Sequence, residues 1–201
     1  MLKDHLLNWC RNEFEKSNAG FCDCSCNNKE YCHHDCQECL NQVHWYPTHG
    51  GRSDYDCPNL LLNYVLHYTD CYSQQISEAL KLVDISRYPY YNIFSIGCGA
   101  APDLMAFEDA VDEDQDIYYK GYDRNPLWEP IHDRIDEYTS QTAHIETKLC
   151  REDILMCLPK ENPRINSIIS LLFSICCRIC TITVNMSAHA SCFSISFTIL
   201  S

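Results

Sequence analysis

Apolar residues recur along this chain with two different periods, and the period changes near residue 85. Before that point they repeat at spacings of three and four, which predicts amphipathic helices over residues 1–17 and 58–83. The first helix is expected to end before Gly20, because glycine suits the left-handed position after a helix. The apolar stripe of the second helix weakens near Asp70, so the pattern also allows a break in the helix at this residue.

Short β-branched and aromatic runs begin after Pro89 and alternate with helical patterns. These patterns predict strands over 91–96, 116–122, 145–149 and 165–172, and helices over 102–111 and 128–139. Pro102 suits the first position of a helix, since its missing N–H costs nothing there. The alternation predicts an α/β domain with a mostly parallel sheet.

The end of the chain departs from this pattern in its charge. From Asn166 to Ser201 the only Lys, Arg, Asp or Glu is Arg178, whereas residues 101–160 carry 15 acids and 6 bases. Surface helices of an α/β domain need a solvated face, and this segment offers none. Two interpretations stay open for it: a buried pair of strands, or loss of the native coding frame near residue 170.

Composition narrows the classes of function. The net charge of −13 disfavours general binding to phosphate backbones. No run of about 18 apolar residues is present, so we expect no membrane span. The first five residues lack the basic start and apolar core of a secretion signal, which predicts a cytoplasmic protein. In that compartment dense cysteines bind metal more often than they form disulfides.

Sixteen cysteines are present, and eight of them fall between residues 22 and 71. Zinc prefers four thiolate or imidazole ligands, and pairs two to four residues apart can reach one ion. The preferred set is Cys32, Cys36, Cys39 and Cys57, with His44 as a substitute for any one. Further candidate ligands are Cys22, Cys24, Cys26 and Cys71. Such a closed site would stabilise a segment too small to bury its own core.

A glycine turn follows the first predicted strand and precedes a helix, in the sequence Ile96-Gly97-Cys98-Gly99-Ala100-Ala101-Pro102-Asp103. In that context two glycines let the backbone approach a ligand at the carboxyl edge of the sheet. Pro102 stands where a dinucleotide fold needs glycine, and Asp103 would repel a pyrophosphate at the helix N-terminus. A ligand with an ammonium group and no phosphate, such as S-adenosylmethionine, fits better.

The segment 93–103 resembles the first motif of class I S-adenosylmethionine-dependent methyltransferases, with Ala101 at the place of a third glycine. Tyr119-Lys120-Gly121-Tyr122-Asp123-Arg124-Asn125 is similar to their second strand, whose terminal acid takes the ribose hydroxyls. Residues 150–155 are similar to the loop after their third strand. The resemblance implies a Rossmann-like fold, incomplete at the C-terminus. It also implies cofactor contacts at Gly97, Cys98, Gly99, Ala101, Asp123, Arg124, Asp153 (to the adenine amino group) and Ile154 (to its ring).

After the fourth strand the chain departs from this family. Residues 171–176 hold neither the Asn-Pro nor the Asp-Pro acceptor signature, and about 29 residues are too few for three more strands with helices. We therefore expect three segments: a helical Cys-rich module (1–85), a partial methyltransferase-like domain (86–172) and an atypical tail (173–201).

Two functions from different classes follow. The first is methyl transfer from S-adenosylmethionine to an unidentified protein or small-molecule acceptor, with no catalytic residue assigned and with activity reduced by the truncation. The second is a non-catalytic, zinc-dependent protein-interaction module with a remnant cofactor fold. A nucleic-acid methyltransferase, with a local patch at Lys29 and Arg52, is disfavoured by the acidic balance. The oligomeric state is not predicted.

Overall fold

The structure is a computed structural model. It describes residues 1–17, 32, 34–45 and 54–151, together with the backbone of three strands beyond residue 168.

Five helices and six strands make up the described part of the chain. The helices are α1 (Leu2–Lys16), α2 (Cys36–Trp45), α3 (Pro58–Leu80), α4 (Pro102–Ala110) and α5 (Glu129–Thr139). The strands are β1 (Tyr90–Ile96), β2 (Asp116–Tyr122), β3 (Ile145–Cys150), β4 (Ile169–Leu172), β5 (Cys180–Met186) and β6 (Phe193–Ile199). Two short 3₁₀ turns, Ile85–Arg87 and Pro126–Trp128, precede β1 and α5.

The strands form one sheet in the order β3-β2-β1-β4-β6-β5. Neighbours are parallel except for β5 and β6, which pair antiparallel. The order β3-β2-β1-β4 is that of a doubly wound fold, in which successive strands are added first on one side of β1 and then, from β4, on the other side. The predicted α/β class and mostly parallel sheet are therefore confirmed. The charge-poor tail contains an antiparallel strand pair.

Alternation along β1, β2 and β3 separates a buried sheet face from an open one. Odd-numbered residues such as Tyr91, Ile93 and Ile117 are buried, which matches the period-two alternation of a strand. Their even-numbered neighbours include Tyr90 and Tyr118, which are 46% and 42% exposed. The buried face and the described helices share one hydrophobic cluster.

Helix α1 packs against this layer and contacts α3, α4 and α5. Leu2, Leu6 and Cys10 form its buried stripe, at the spacing that the sequence predicts. Glu108 of α4 accepts from the Leu2 N–H at 2.7 Å and from the Tyr138 hydroxyl at 2.6 Å. A carboxylate at a helix N-terminus is favourable because the helix dipole is positive there. The N-terminal helix is thus attached to both helices that flank β2.

Two features differ from the sequence prediction. Helix α3 is continuous through Asp70, so the break near this residue does not occur. Helix α2 lies inside the Cys-rich segment, where the sequence predicts no helix. Asp35 caps it by accepting from the Gln37 and Glu38 N–H groups at 2.8 and 3.0 Å. Among the described helices, none combines the length and the hydropathy that a membrane crossing requires.

Candidate functional site

The glycine turn lies at the carboxyl end of β1 and is attached to the end of β2. The Gly97 and Cys98 N–H groups both donate to the Tyr122 carbonyl, at 2.7 and 3.0 Å. Gly97 and Gly99 have φ of 67° and 49°, in the region that favours glycine. Ala101, the residue before α4, also has a left-handed φ of 53° and is fully buried. The backbone here needs three left-handed residues, which accounts for the glycines without reference to a ligand.

The indole ring of Trp128 occupies the space beside Gly99. A Cβ added to Gly99 would lie 3.3 Å from Cζ2 of Trp128, so the missing side chain lets this ring approach the turn. Trp128 is 2% exposed and packs edge-on against Tyr64 of α3, with ring centroids 5.9 Å apart. The missing Cβ at Gly99 therefore lets Trp128 pack against the turn, and the predicted contact of Gly99 with a ligand stays a prediction.

Asp123 directly follows β2 and its side chain turns toward the glycine turn. Its Oδ2 accepts from the Gly99 N–H at 3.1 Å, and its Oδ1 accepts from the Asn125 N–H at 2.9 Å. Burial raises the pKa of this carboxyl, and the two N–H donors oppose that shift. The structure thus brings together the glycine turn and the acid at the end of the neighbouring strand.

When ionised, the Asp123 carboxylate can only accept hydrogen bonds. Each ionised carboxylate oxygen carries two lone-pair sites, and one on each oxygen of Asp123 is used by a backbone N–H. One site per oxygen remains, which is the number that two neighbouring hydroxyl donors require. The residue is buried, with 9% of its surface exposed.

Cys98 and His132 pack beneath the turn. His132 Nε2 lies 2.9 Å from the Gly99 carbonyl and 3.9 Å from the Cys98 sulfur. Because a carbonyl only accepts, Nε2 carries the proton in this contact. Burial lowers the pKa of His132 and raises that of Cys98 well above its usual value. A buried neutral thiol is a poor nucleophile, so Cys98 supports the turn through packing.

Asp103, predicted from the sequence to be compatible with a ligand that carries an ammonium group, lies inside the core. Its side chain is fully buried, and its Oδ1 accepts from the Tyr119 hydroxyl at 2.8 Å. Burial raises the pKa of this carboxyl, against hydrogen bonds that include those from Tyr119 and the Leu104 N–H. Asp103 therefore joins α4 to β2 inside the core.

The remaining predicted cofactor residues divide into two groups. Arg124 is exposed, next to Asp123. Asp153 and Ile154 lie outside the described residues, so their adenine contacts stay predictions.

The predicted zinc ligands lie partly in the core. Cys36, Cys39 and Cys57 are buried, and Cys32 packs against the same hydrophobic cluster. His44 stacks on Tyr68 with ring centroids 5.7 Å apart, and Cys71 is exposed. Among the residues that the structure describes, no group of three or more His, Cys, Asp or Glu side chains could hold a metal ion. Cys22, Cys24 and Cys26 lie outside them.

A separate cavity of about 280 Å³ lies on the open face of the sheet. Its lining includes Phe94, Tyr118, Lys120 and Lys148, and no predicted cofactor residue takes part in it. Lys120 and Lys148 are direct partners in the β2–β3 register.

Comparisons with known proteins give a distant likeness in structure. No protein-family model and no curated protein sequence matches the chain. The solved structures that match include a protein of Listeria monocytogenes assigned to the class I S-adenosylmethionine-dependent methyltransferases. The two sequences are 11% identical, and the TM-score is 0.37. The match covers 94% of this chain and 61% of the other, so this chain spans less than two thirds of that protein's length.

Proposed function

We propose that this chain binds S-adenosylmethionine at the carboxyl edge of its parallel sheet and supports methyl transfer to a protein or small-molecule acceptor. The observation that carries the proposal is the contact between the Asp123 carboxylate and the glycine turn. It supports binding of an adenosyl group because it leaves one acceptor site on each carboxylate oxygen, beside the glycine turn at the carboxyl end of β1.

We assign the residues of this chain to different parts of the cofactor. Asp123 would accept hydrogen bonds from the two ribose hydroxyls, and Gly97, Cys98, Gly99 and Ala101 would shape the turn that receives the rest of the cofactor. Arg124, Asp153 and Ile154 are proposed for the adenosine side. The cofactor, when bound, supplies a methyl group on a sulfonium, which is already an activated donor. Positioning therefore supplies much of the acceleration, and we assign no catalytic base.

Binding of S-adenosylhomocysteine by isothermal titration calorimetry tests this proposal. Asp123→Asn is expected to weaken binding about 10- to 100-fold, because hydrogen bonds to a charged group contribute about 1.5–3 kcal/mol. Asp116→Asn is the matched control, since Asp116 is an exposed acid at the other end of the same strand. The control should bind like the wild type. Absence of saturable binding at millimolar ligand in the wild type would remove the proposal.

Zinc remains a proposal for the Cys-rich segment, on the chemistry of its donors. A site would combine Cys32, Cys36, Cys39 or Cys57 with donors among Cys22, Cys24 and Cys26, since the described cysteines do not form a site by themselves. We propose a structural role in a cytoplasmic protein. A structural zinc site is equally compatible with the alternative function, a non-catalytic protein-interaction module.

Metal analysis of protein purified without added zinc tests this assignment. At least one equivalent of zinc per chain is expected, and Cys39→Ser should lower it, whereas Cys71→Ser should retain it because Cys71 is exposed. Protein that folds with no bound metal would contradict the zinc proposal and leave the cofactor proposal unaffected.

A further inference from the structure

Asn125 forms three hydrogen bonds that link Asp123 to neighbouring segments, and no sequence motif predicted them. Its N–H donates to the Asp123 carboxylate at 2.9 Å. Its side-chain Oδ1 accepts from the Leu127 N–H at 3.0 Å and so caps the 3₁₀ turn that carries Trp128. Its side-chain Nδ2 donates to the Tyr55 carbonyl at 2.8 Å, across 70 residues of chain.

The hydrogen bond from Asn125 to the Tyr55 carbonyl completes a closed series of contacts around Asp123. The Tyr55 ring packs edge-on against Tyr64, with centroids 5.1 Å apart, and Tyr64 packs edge-on against Trp128. Trp128 in turn contacts the Gly99 side of the turn, whose N–H holds the second oxygen of Asp123. The segment before α3 and the loop after β2 are therefore joined at two places, through Asn125 and through the aromatic rings.

This arrangement fixes the plane of the Asp123 carboxylate. One oxygen is held by the turn and the other by the backbone N–H of Asn125, whose side chain is bonded to both Leu127 and Tyr55. A carboxylate that must accept from two neighbouring hydroxyls at once needs a defined plane, because both hydrogen bonds have narrow angular ranges. Loss of the tie to Tyr55 would leave the carboxylate in place and free its plane to rotate.

We infer that Asn125 is a positioning residue that orients Asp123 toward a vicinal diol and makes the site selective for ribonucleoside ligands over their deoxy counterparts. The inference rests on the proposed function for the ligand class and on the described contacts for the orientation. It also gives the residues before α3 a part in the site, through the Tyr55 carbonyl.

Two variants separate the functions of the Asn125 side chain. Asn125→Ser keeps an oxygen that can cap the 3₁₀ turn and loses the donor to Tyr55. Asn125→Asp keeps the cap and places an oxygen against the Tyr55 carbonyl, which makes the loss larger. Asn92→Ser, on the open face of β1, is the control.

Calorimetry with S-adenosylhomocysteine and its 2′,3′-dideoxy analogue is the ligand test. The wild type is expected to prefer the diol at least tenfold. Asn125→Ser should weaken binding of the diol about fivefold and leave binding of the dideoxy analogue unchanged, since that analogue makes no bond to Asp123. Equal weakening of both ligands would indicate a merely structural role and overturn the inference, and so would no weakening of either.

A measurement without ligand keeps this inference separate from the proposed function. Hydrogen exchange at the Gly99 amide, which donates to Asp123, should be about fivefold faster in Asn125→Ser, while the Ile117 amide inside β2 keeps its rate. If the wild type binds neither ligand, the cofactor proposal fails, and faster exchange at Gly99 still supports the coupling of Asn125 to Asp123. An unchanged Gly99 rate in the variant would overturn that coupling.

Discussion

Replacing Trp128 by alanine should lower the free energy of unfolding by about 3–5 kcal/mol, the cost typical of truncating a buried aromatic side chain. The indole is 2% exposed and fills the space between the Gly99 turn, Tyr64 and His132. Its removal leaves a cavity directly beneath the turn, and the surrounding rings can collapse into it only in part. Urea unfolding followed by circular dichroism measures the change.

Two further variants show whether this effect comes from the position of Trp128. Trp128→Phe keeps an aromatic ring against Tyr64 and should lose less than half as much. Trp9→Ala removes a half-buried indole on α1, under Arg134, and should cost less than the alanine variant at position 128. A loss below about 1 kcal/mol for Trp128→Ala would show that the ring does not support the turn.

Gly121→Ala should lower the free energy of unfolding by about 2 kcal/mol, although alanine is ordinarily preferred to glycine within a strand by about 0.5–1 kcal/mol. A Cβ at this position would lie 2.8 Å from the Cys98 sulfur and 2.9 Å from both Leu149 Cδ2 and Tyr119 Cε1. Cys98 and Tyr119 are buried and Leu149 is partly buried against the same cluster, so these atoms cannot all move away. The sign of the change is therefore opposite to the intrinsic preference.

A double-mutant cycle with Cys98→Ala tests the cause of this loss. Removing the sulfur relieves the shortest of the three contacts, so the double variant should be more stable than the sum of the single changes predicts, by about 1 kcal/mol. Strict additivity, or a Gly121→Ala variant as stable as the wild type, would contradict the packing described around Cys98.

Much of the fold could be predicted because its elements carry strong local signals. The strand over 116–122 is found at the predicted residues, and Pro102 begins α4 as expected. Helix α2 could not be predicted in the same way, since the spacing of its cysteines predicts metal ligands and does not by itself indicate a helix with Cys36 and Cys39 on its buried face. The cap at Asp35 was a signal for it that the spacing of the cysteines obscured.

The candidate site could be predicted in part. Asp123 meets the glycine turn because parallel strands bring their carboxyl ends to one edge, which sequence order alone determines. Trp128 and His132 could not be predicted, because their contacts with the turn depend on how α5 packs. Asn125 carried a weak signal, since Asn followed by Pro is typical of a helix start. Its bond to Tyr55 has no sequence signal.

The central claim is that an adenosyl ligand binds at the turn after β1, beside Asp123. Two-dimensional NMR of labelled protein during titration with S-adenosylhomocysteine tests it most directly. The account predicts saturable shifts concentrated at the Gly97, Gly99, Asp123 and Asn125 amides. Shifts confined to Tyr118, Lys120 and Lys148, around the cavity on the open face, would contradict it.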